Sequence, residues 1–313
     1  MHYLWRRSVS LIVTLLLVMM LTFIVFRIIP GNPALTILGM NADEHQIAAL
    51  EAKLGTDKPL LEQFTKWMKG AATGNLGESL KFARPVSELI WNRLPVTLSI
   101  AVLSMLMTAV IAVPLGIAAA RARGKLLDLI ISSLTQLGMA VPSFWMGILL
   151  VLLFGLMLKL FPTSGYIPWS EDPLGALRSL FLPALAVSIP QIAVVVRYLR
   201  TTLIEQLELD YVRTGYSKGL RKSIVIYKHV LKNALIPVIT VMGLLFADVL
   251  GGSLIVEQIY ALPGMGRLLI SSIGARDFPL VQGLVLFTAL IVIVINFTVD
   301  ILYRLLDPRI SLK

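Results

Sequence analysis

Long stretches without charged residues constrain this chain more than any other feature. An α-helix rises about 1.5 Å per residue, so it needs about 20 residues to cross a hydrocarbon core of about 30 Å. Five stretches of this length carry no charge, and a sixth carries only Asp248. They cover residues 8–26, 94–120, 129–158, 179–196, 233–256 and 278–299. The sequence therefore predicts an all-α integral membrane protein with six transmembrane helices.

The composition excludes the main alternatives to a membrane protein. Of 313 residues, 57% are hydrophobic and 15% are charged, and the mean hydropathy is +0.84. A chain this apolar is neither a soluble globular domain nor a disordered one. The sequence contains no Cys, which excludes disulfides, thiolate zinc sites and thiol nucleophiles.

The distribution of Lys and Arg predicts the orientation in the membrane. With six spans, both termini lie on the same side, and that side carries 16 of the 28 basic residues. Eight of the other 12 fall in one loop that is too long for the positive-inside rule to apply. We therefore expect both termini to be cytoplasmic and the N-terminal apolar run to be an uncleaved first span.

Three of the prolines inside the predicted spans predict bends. The stretch 129–158 is unusually long for one span, and Pro142 near its centre predicts a bend, because proline removes a backbone hydrogen bond. Pro114 and Pro190 also predict bends, which membrane helices tolerate.

These spans divide the chain into three parts. Residues 1–29 form the N-terminus and first span, residues 30–93 an extracytoplasmic loop, and residues 94–313 a five-helix core. Apolar residues recur at helical spacing over 60–68 and 86–94, which predicts two amphipathic helices in the outer loop. We expect them to form a small cap that packs on the outer ends of the spans or lies in the lipid interface. A docking surface for an external partner is compatible with such a cap.

The cytoplasmic loop of residues 197–236 is too long to be a simple connection. Residues 201–212 extend the fourth span, Gly215 and Gly219 allow tight turns or close approach, and residues 222–236 are helical up to Pro237. This helix, turn and helix carry many basic residues, which suit either an anionic lipid surface or the groove of a partner protein.

Sequence motifs in this loop resemble the EAA loop of ABC importer permeases. The motifs are DYVRTGYSKGL at 210–220 and HVLKNALIP at 229–237. The match is closest to the dipeptide, oligopeptide and nickel permease family. Further agreement comes from PGNPA at 30–34, LGTDKPL at 54–60, GNLGESL at 74–80, RPV at 84–86, PTSG at 162–165, GGSLIVE at 251–257, PGMG at 263–266, RDFP at 276–279 and DPR at 307–309.

The resemblance implies a type I importer permease in a bacterial or archaeal plasma membrane. It implies a homologous second permease subunit, two cytoplasmic ATPase subunits that bind ATP and Mg²⁺, and an extracytoplasmic solute-binding protein. The segment around Gly219 is then the coupling helix seated in an ATPase cleft. The contacts implied by the resemblance are Arg213, Thr214, Gly215, Lys218, Gly219 and Leu220. In the general loop a Glu stands where this chain has Arg213, and the spacing from Gly219 to Pro237 is longer.

The sequence lacks two of the motifs that are typical of enzymes. No G-x-x-x-x-G-K-[ST] motif is present to hold phosphates, and no H-E-x-x-H motif occurs. The three His are scattered on both predicted sides of the membrane, so we expect no metal site and no cofactor bound by this chain. Energy then comes from another subunit or from an ion gradient.

Polar residues within the spans are candidates for the translocation pathway. Asp248 lies mid-span, where a carboxylate costs roughly 2.5–3.5 kcal/mol if it faces lipid. It either pairs with a neighbouring helix or the partner subunit, or lines the pathway and meets a cationic group of the solute. Gln136, Gln191 and Asn296 are further candidates, although amides also serve as hydrogen-bond partners between helices. Asp300 lies near the cytoplasmic end of the last span and favours a structural role.

The outer segment of residues 251–279 contains residues that shape the channel mouth. For Glu257, Pro263, Gly264 and Gly266 we expect a structural role in a re-entrant or capping element.

Two functions follow from these features. The first is an ATP-driven importer of a small solute such as a peptide, glutathione, nickel or a nickel chelate. The alternative is an ion-coupled secondary transporter in which Asp248 or Asp300 carries a proton.

Overall fold

The computed structural model describes residues 2–28, 43–54 and 57–306. Within these ranges the chain is helical and has no β-strand, apart from one isolated antiparallel bridge between Glu78 and Pro85. The motifs PGNPA and DPR, and two residues of LGTDKPL, lie outside the described residues.

The helices follow one another as the hydropathy pattern predicts. They are α1 (His2–Ile28), α2 (Glu44–Leu54), α3 (Leu60–Ala72), α4 (Val86–Arg121), α5 (Leu126–Ala140), α6 (Ser143–Met157), α7 (Pro173–Leu207), α8 (Asp210–Ser217), α9 (Lys222–Ile259), α10 (Met265–Gly274) and α11 (Phe278–Leu306). α6 ends in a π-helical segment over Val151–Met157, and α9 contains another over Val225–Val230.

Five of the described helices are long and apolar enough to cross a membrane: α1, α4, α7, α9 and α11. α5 and α6 together meet the same criterion, and a bend of 103° separates them. Counting this broken pair as one span gives the six spans that the sequence predicts. The break falls at Val141 and Pro142, which confirms the bend expected at this proline.

Several predicted helix boundaries are wrong. Residues 86–94 are the first turns of α4 and not a separate amphipathic helix, because α4 continues without interruption into the second span. α7 ends at Leu207, and Leu209 is extended, so residues 201–212 are not one helical extension. Pro237 lies inside α9 and does not end it, because one missing hydrogen bond is tolerated among packed apolar helices. α2 was not predicted.

The chain divides into two compact units. One unit comprises residues 1–96 and 263–293. In it, α3 packs on the end of α1 through an aromatic cluster, in which the ring of Phe23 lies 5.2 Å from that of Phe64 and 6.3 Å from that of Trp67. The predicted amphipathic helix at 60–68 is thereby confirmed as part of α3.

The second unit comprises residues 97–262 and 294–313. α7 is its centre and packs against α5, α6 and α9. α5 approaches α7 closely at Gly138, where an added Cβ would lie 3.2 Å from the Cβ of Ala193. A cluster of buried apolar side chains joins the end of α4 to α5, α7, α8 and α9. This core fixes α8, the helix that carries the predicted coupling residues.

Candidate functional site

α8 and the turn after it contain all six residues predicted to couple to an ATPase. Arg213, Thr214 and Gly215 lie in the helix, Lys218 caps it, and Gly219 and Leu220 follow. These six positions therefore form one short continuous element.

The end of α8 has the geometry of a Schellman motif. The N–H of Leu220 donates to the carbonyl of Gly215 at 3.2 Å, and the N–H of Gly219 donates to the carbonyl of Tyr216 at 2.9 Å. Gly219 has a φ of +78°, in the left-handed region that favours glycine. The turn predicted at Gly219 is confirmed, whereas Gly215 makes a close helix contact and not a turn.

Buried contacts fix α8 to the second unit. Val212 is 2% exposed and belongs to the apolar core. An added Cβ at Gly215 would lie 3.4 Å from Val225, so a larger residue here would crowd the start of α9. α8 therefore packs directly against the helices that form this core.

α8 and the turn after it also present large side chains to solvent. Tyr211, Tyr216 and Leu220 are 36%, 42% and 36% exposed, and Lys218 is also exposed. Tyrosine is enriched in the buried centres of protein interfaces, whereas lysine is not. The two tyrosines were not predicted.

Arg213 contacts Asp210 across one turn of α8. The two groups are 3.6 Å apart, and their side chains are 79% and 95% exposed. Such a pair contributes between 0 and about 1 kcal/mol. Arg213 therefore remains available to a partner.

Sequence reasoning missed an ion pair close to this element. The guanidinium of Arg200 in α7 binds the carboxylate of Asp128 in α5 through two hydrogen bonds, of 2.6 and 2.8 Å. The Asp128 side chain is 8% exposed, and it also accepts the N–H of Gly124 at 3.0 Å. The partners are 72 residues apart in the chain, so no local pattern indicated the pair.

The four predicted pathway residues are in different environments. Gln136 in α5 and Asp248 in α9 are exposed, whereas Gln191 in α7 and Asn296 in α11 are partly buried. The side-chain carbonyl oxygens of Gln191 and Asn296 are sealed from solvent and accept no hydrogen bond. Among the described residues, no hydrogen bond joins any two of the four.

Asp248 lies on an uncovered face of α9. Leu244 and Ile255, which follow the same helical spacing, are each 50% exposed, and Gly251 and Gly252 have no atom within 4 Å of an added Cβ. A carboxylate on a lipid-facing surface is costly. This face therefore requires protein or water against it.

Glu257 near the end of α9 is fully buried in the second unit. Its carboxylate accepts a hydrogen bond of 2.7 Å from the hydroxyl of Thr97, and its carbonyl accepts the N–H of Leu262 at 2.9 Å. These contacts indicate a structural role.

Pro263, Gly264 and Gly266 mark the start of α10 in the first unit. Gly264 is extended and caps the helix, and Gly266 is buried in its first turn. α10 is a short helix between α9 and α11 in the chain, and the role of these residues at the channel mouth stays a prediction.

In the first unit, Asp277 fastens the loop between α3 and α4 to the start of α11. Its carboxylate is 1% exposed. It accepts hydrogen bonds from the hydroxyl of Ser79 and from the N–H groups of Leu80, Lys81 and Leu280. An Asp immediately before a helix is a frequent N-cap, and this signal was present in the motif RDFP.

Comparisons with known proteins agree with this arrangement. The family described as "Binding-protein-dependent transport system inner membrane component" matches residues 112–312. A family described as "Binding-prot-dependent transport system membrane comp, N-term" matches residues 1–101.

Similar proteins match over almost the whole length of the chain. A putative peptide transport system permease protein of Brucella suis biovar 1 is 42% identical over 305 residues, which are 97% of each chain. A glutathione transport system permease protein of Salmonella paratyphi A is 38% identical over 313 residues, which are 100% of each chain.

Two solved structures share the fold. One, of the MetNI methionine ABC transporter in inward-facing conformations, matches with a TM-score of 0.57 and 15% identity over 70% of this chain and 96% of that chain. The other, of an amino acid ABC transporter, matches with a TM-score of 0.52 and 19% identity over 72% of this chain and 95% of that chain.

Proposed function

Because the chain belongs to the family of binding-protein-dependent transport system inner membrane components, we propose that it forms half of a solute pathway worked by two cytoplasmic ATPases. The chain is a multi-pass permease subunit of an ABC importer of the peptide family. The observation that carries the proposed coupling to ATPases is α8, a short helix with an anchored inner face and an exposed outer face.

The contact with an ATPase is made by the outer face of α8 and the turn after it. Arg213, Thr214, Lys218, Gly219 and Leu220 supply this surface, and Gly215 supports it by packing against α9. Tyr211 and Tyr216 add large side chains whose burial stabilises a docked complex.

The solute is a small peptide or a peptide-like molecule delivered by an extracytoplasmic binding protein. This proposal follows from the similar proteins, which are described as peptide and glutathione transport permeases. Nickel and nickel chelates stay a prediction from the sequence motifs. The ion-coupled alternative is not supported, since the matching families are components of binding-protein-dependent systems.

A homologous permease subunit covers the face of α9 that carries Asp248, and the solute passes along this face. Gly251 and Gly252 leave open space beside Asp248. A carboxylate here stabilises the cationic amino group of a peptide as it passes.

The central experiment is purification of the chain with its neighbours. We expect a tagged chain, expressed with the ATPase, permease and binding-protein genes adjacent to its own, to copurify with two ATPase subunits and one homologous permease. Reconstituted with the binding protein, the complex should hydrolyse ATP faster when glutathione or a dipeptide mixture is added. Full uptake by the chain alone, without an ATPase, would overturn the proposal.

A test of the pathway uses Asp248→Asn. Loss of the negative charge should lower uptake of a dipeptide with a free amino group about 10-fold, while uptake of its N-acetylated form changes less. The complex should assemble normally, as measured by copurification. Asp300→Asn on α11 is the control. Loss of the whole complex in Asp248→Asn would show instead that this carboxylate is structural.

A further inference from the structure

The ion pair between Asp128 and Arg200 connects α5, which is half of the broken span, to α7, which precedes the coupling helix. Asp128 belongs to the first turn of α5, the half of the broken span before the 103° bend. Arg200 lies two turns before the end of α7, which leads directly into α8. The pair therefore connects the broken span to the stem of the coupling helix.

The pair is built as a rigid contact. Both guanidinium hydrogen bonds are short, and the planar groups meet in a bidentate arrangement that fixes their relative orientation. Asp128 is held from its own side by the N–H of Gly124 at 3.0 Å and by the hydroxyl of Ser132 at 3.4 Å. Arg200 cannot rotate away without leaving a nearly buried carboxylate uncompensated.

Two weaker contacts lie on the same side of the second unit. Arg123, in the turn between α4 and α5, pairs with Glu208 after α7 at 2.6 Å, but these side chains are 59% and 65% exposed. Arg121 at the end of α4 donates to the hydroxyl of Tyr227 at 3.4 Å. These contacts bring the turn between α4 and α5 beside the segments that flank α8, and the buried pair is the rigid member of the group.

We propose that Asp128 and Arg200 are positioning residues that make the start of α5 and the stem of α8 move as one lever. The proposal rests on the function proposed above, in which an ATPase displaces α8. A displacement of α8 then reaches α5 and the bend at Pro142 through a fixed contact, and not only through apolar side chains that can slide. Without the pair, ATP hydrolysis continues but moves the broken span less.

The test separates this role from a merely structural one. Because the chain has no Cys, spin labels can be placed by Ser133→Cys on α5 and by Glu205→Cys near the end of α7, the stem of α8. Both positions are exposed and lie outside the proposed ATPase contact. Their distance is measured by pulsed electron paramagnetic resonance in the reconstituted complex, nucleotide-free and trapped with ATP and vanadate. In the otherwise unchanged chain we expect one narrow distance distribution that does not change with nucleotide.

The double variant D128N/R200Q removes both charges; Asn has the shape of Asp, and Gln is an uncharged side chain shorter than Arg. We expect it to assemble and hydrolyse ATP within about twofold of the unchanged complex. The label distance should shift or broaden when ATP is trapped, and glutathione or dipeptide uptake per ATP should fall at least 10-fold. The charge-swapped variant D128R/R200D should restore a narrow distribution and much of the coupling. E208Q, which breaks only the exposed pair, should behave like the unchanged chain.

Two results would contradict the proposed role of the ion pair. An unchanged distance and coupling ratio in D128N/R200Q would show that the pair transmits nothing, and failure of both double variants to assemble would reduce it to a folding contact. Failure of the proposed function itself is recognised separately, because the unchanged chain would then copurify with no ATPase.

Discussion

Asp277 shows how much one buried carboxylate can organise in this protein. It binds three groups of the loop Ser79–Lys81 and one N–H of α11. Hydrogen bonds to a charged group contribute about 1.5–3 kcal/mol each, and a buried donor left unpaired costs about 1–3 kcal/mol. The loop Ser79–Lys81 and the start of α11 therefore depend on Asp277 for their relative position within the first unit.

We predict that Asp277→Ala lowers the stability of the protein by at least about 3 kcal/mol, because several nearly buried donors lose their acceptor. The measurement is thermal unfolding of the purified protein in detergent. Asp172→Ala is the matched control, since Asp172 also caps a helix but is exposed and accepts only the N–H of Leu174. It should cost about 1 kcal/mol. Equal losses in the two variants would contradict the role assigned to Asp277.

Individual residues differ in how far the sequence reveals them. The cap at Asp277 and the left-handed turn at Gly219 follow from local rules, because each depends on a few adjacent residues. The pairing of Asp128 with Arg200 and the burial of Glu257 depend on contacts between distant segments. For such residues the sequence supplies only the observation that a charge beside an apolar run needs a partner.

Among the helices, α8 is the element whose geometry depends most on one residue. The Schellman motif that ends it requires a positive φ at Gly219, and an added Cβ there meets no other atom within 4 Å. The penalty of a larger residue is therefore backbone strain, at least about 1 kcal/mol. Its consequence is a change in direction between α8 and α9.

We predict that Gly219→Val uncouples transport from ATP hydrolysis. Val avoids the left-handed region, so the turn opens and the exposed face of α8 no longer fits its partner. Uptake per ATP hydrolysed, and the amount of copurified ATPase, should both fall severalfold. Gly165→Val is the control, because Gly165 has a φ of +94° and equally open surroundings in another loop. Equal effects of the two changes would mean that strain alone explains the loss.

The elements also show where hydropathy is informative and where it is not. Long apolar runs predicted every spanning helix, since the cost of unpaired backbone groups in lipid leaves the chain little alternative. The same runs did not predict where the helices begin. α4 begins at Val86 and α9 at Lys222, well before the apolar part of each helix. Helical hydrogen bonding continues into polar sequence, and only a cap or a turn ends it.

For the molecule as a whole, the proposed mechanism depends on which side of the membrane each segment faces. A pathway driven from inside requires α8 to face the cytoplasm, and the excess of Lys and Arg on its side predicts that it does. The turn between α6 and α7 lies on the opposite predicted side. The absence of Cys makes both positions testable with single substitutions.

We predict that Ser217→Cys on α8 reacts with a membrane-impermeant maleimide only after the cells are permeabilised, whereas Ser170→Cys, before α7, reacts in intact cells. Both side chains are exposed in the chain alone, and the labelled chain is expressed without the ATPase subunits that would cover α8, so a difference in labelling reports sidedness and not burial. The unchanged chain is the blank because it has no thiol. Labelling of Ser217→Cys in intact cells would place α8 outside, where no ATPase could reach it, and would refute the orientation on which the coupling mechanism depends.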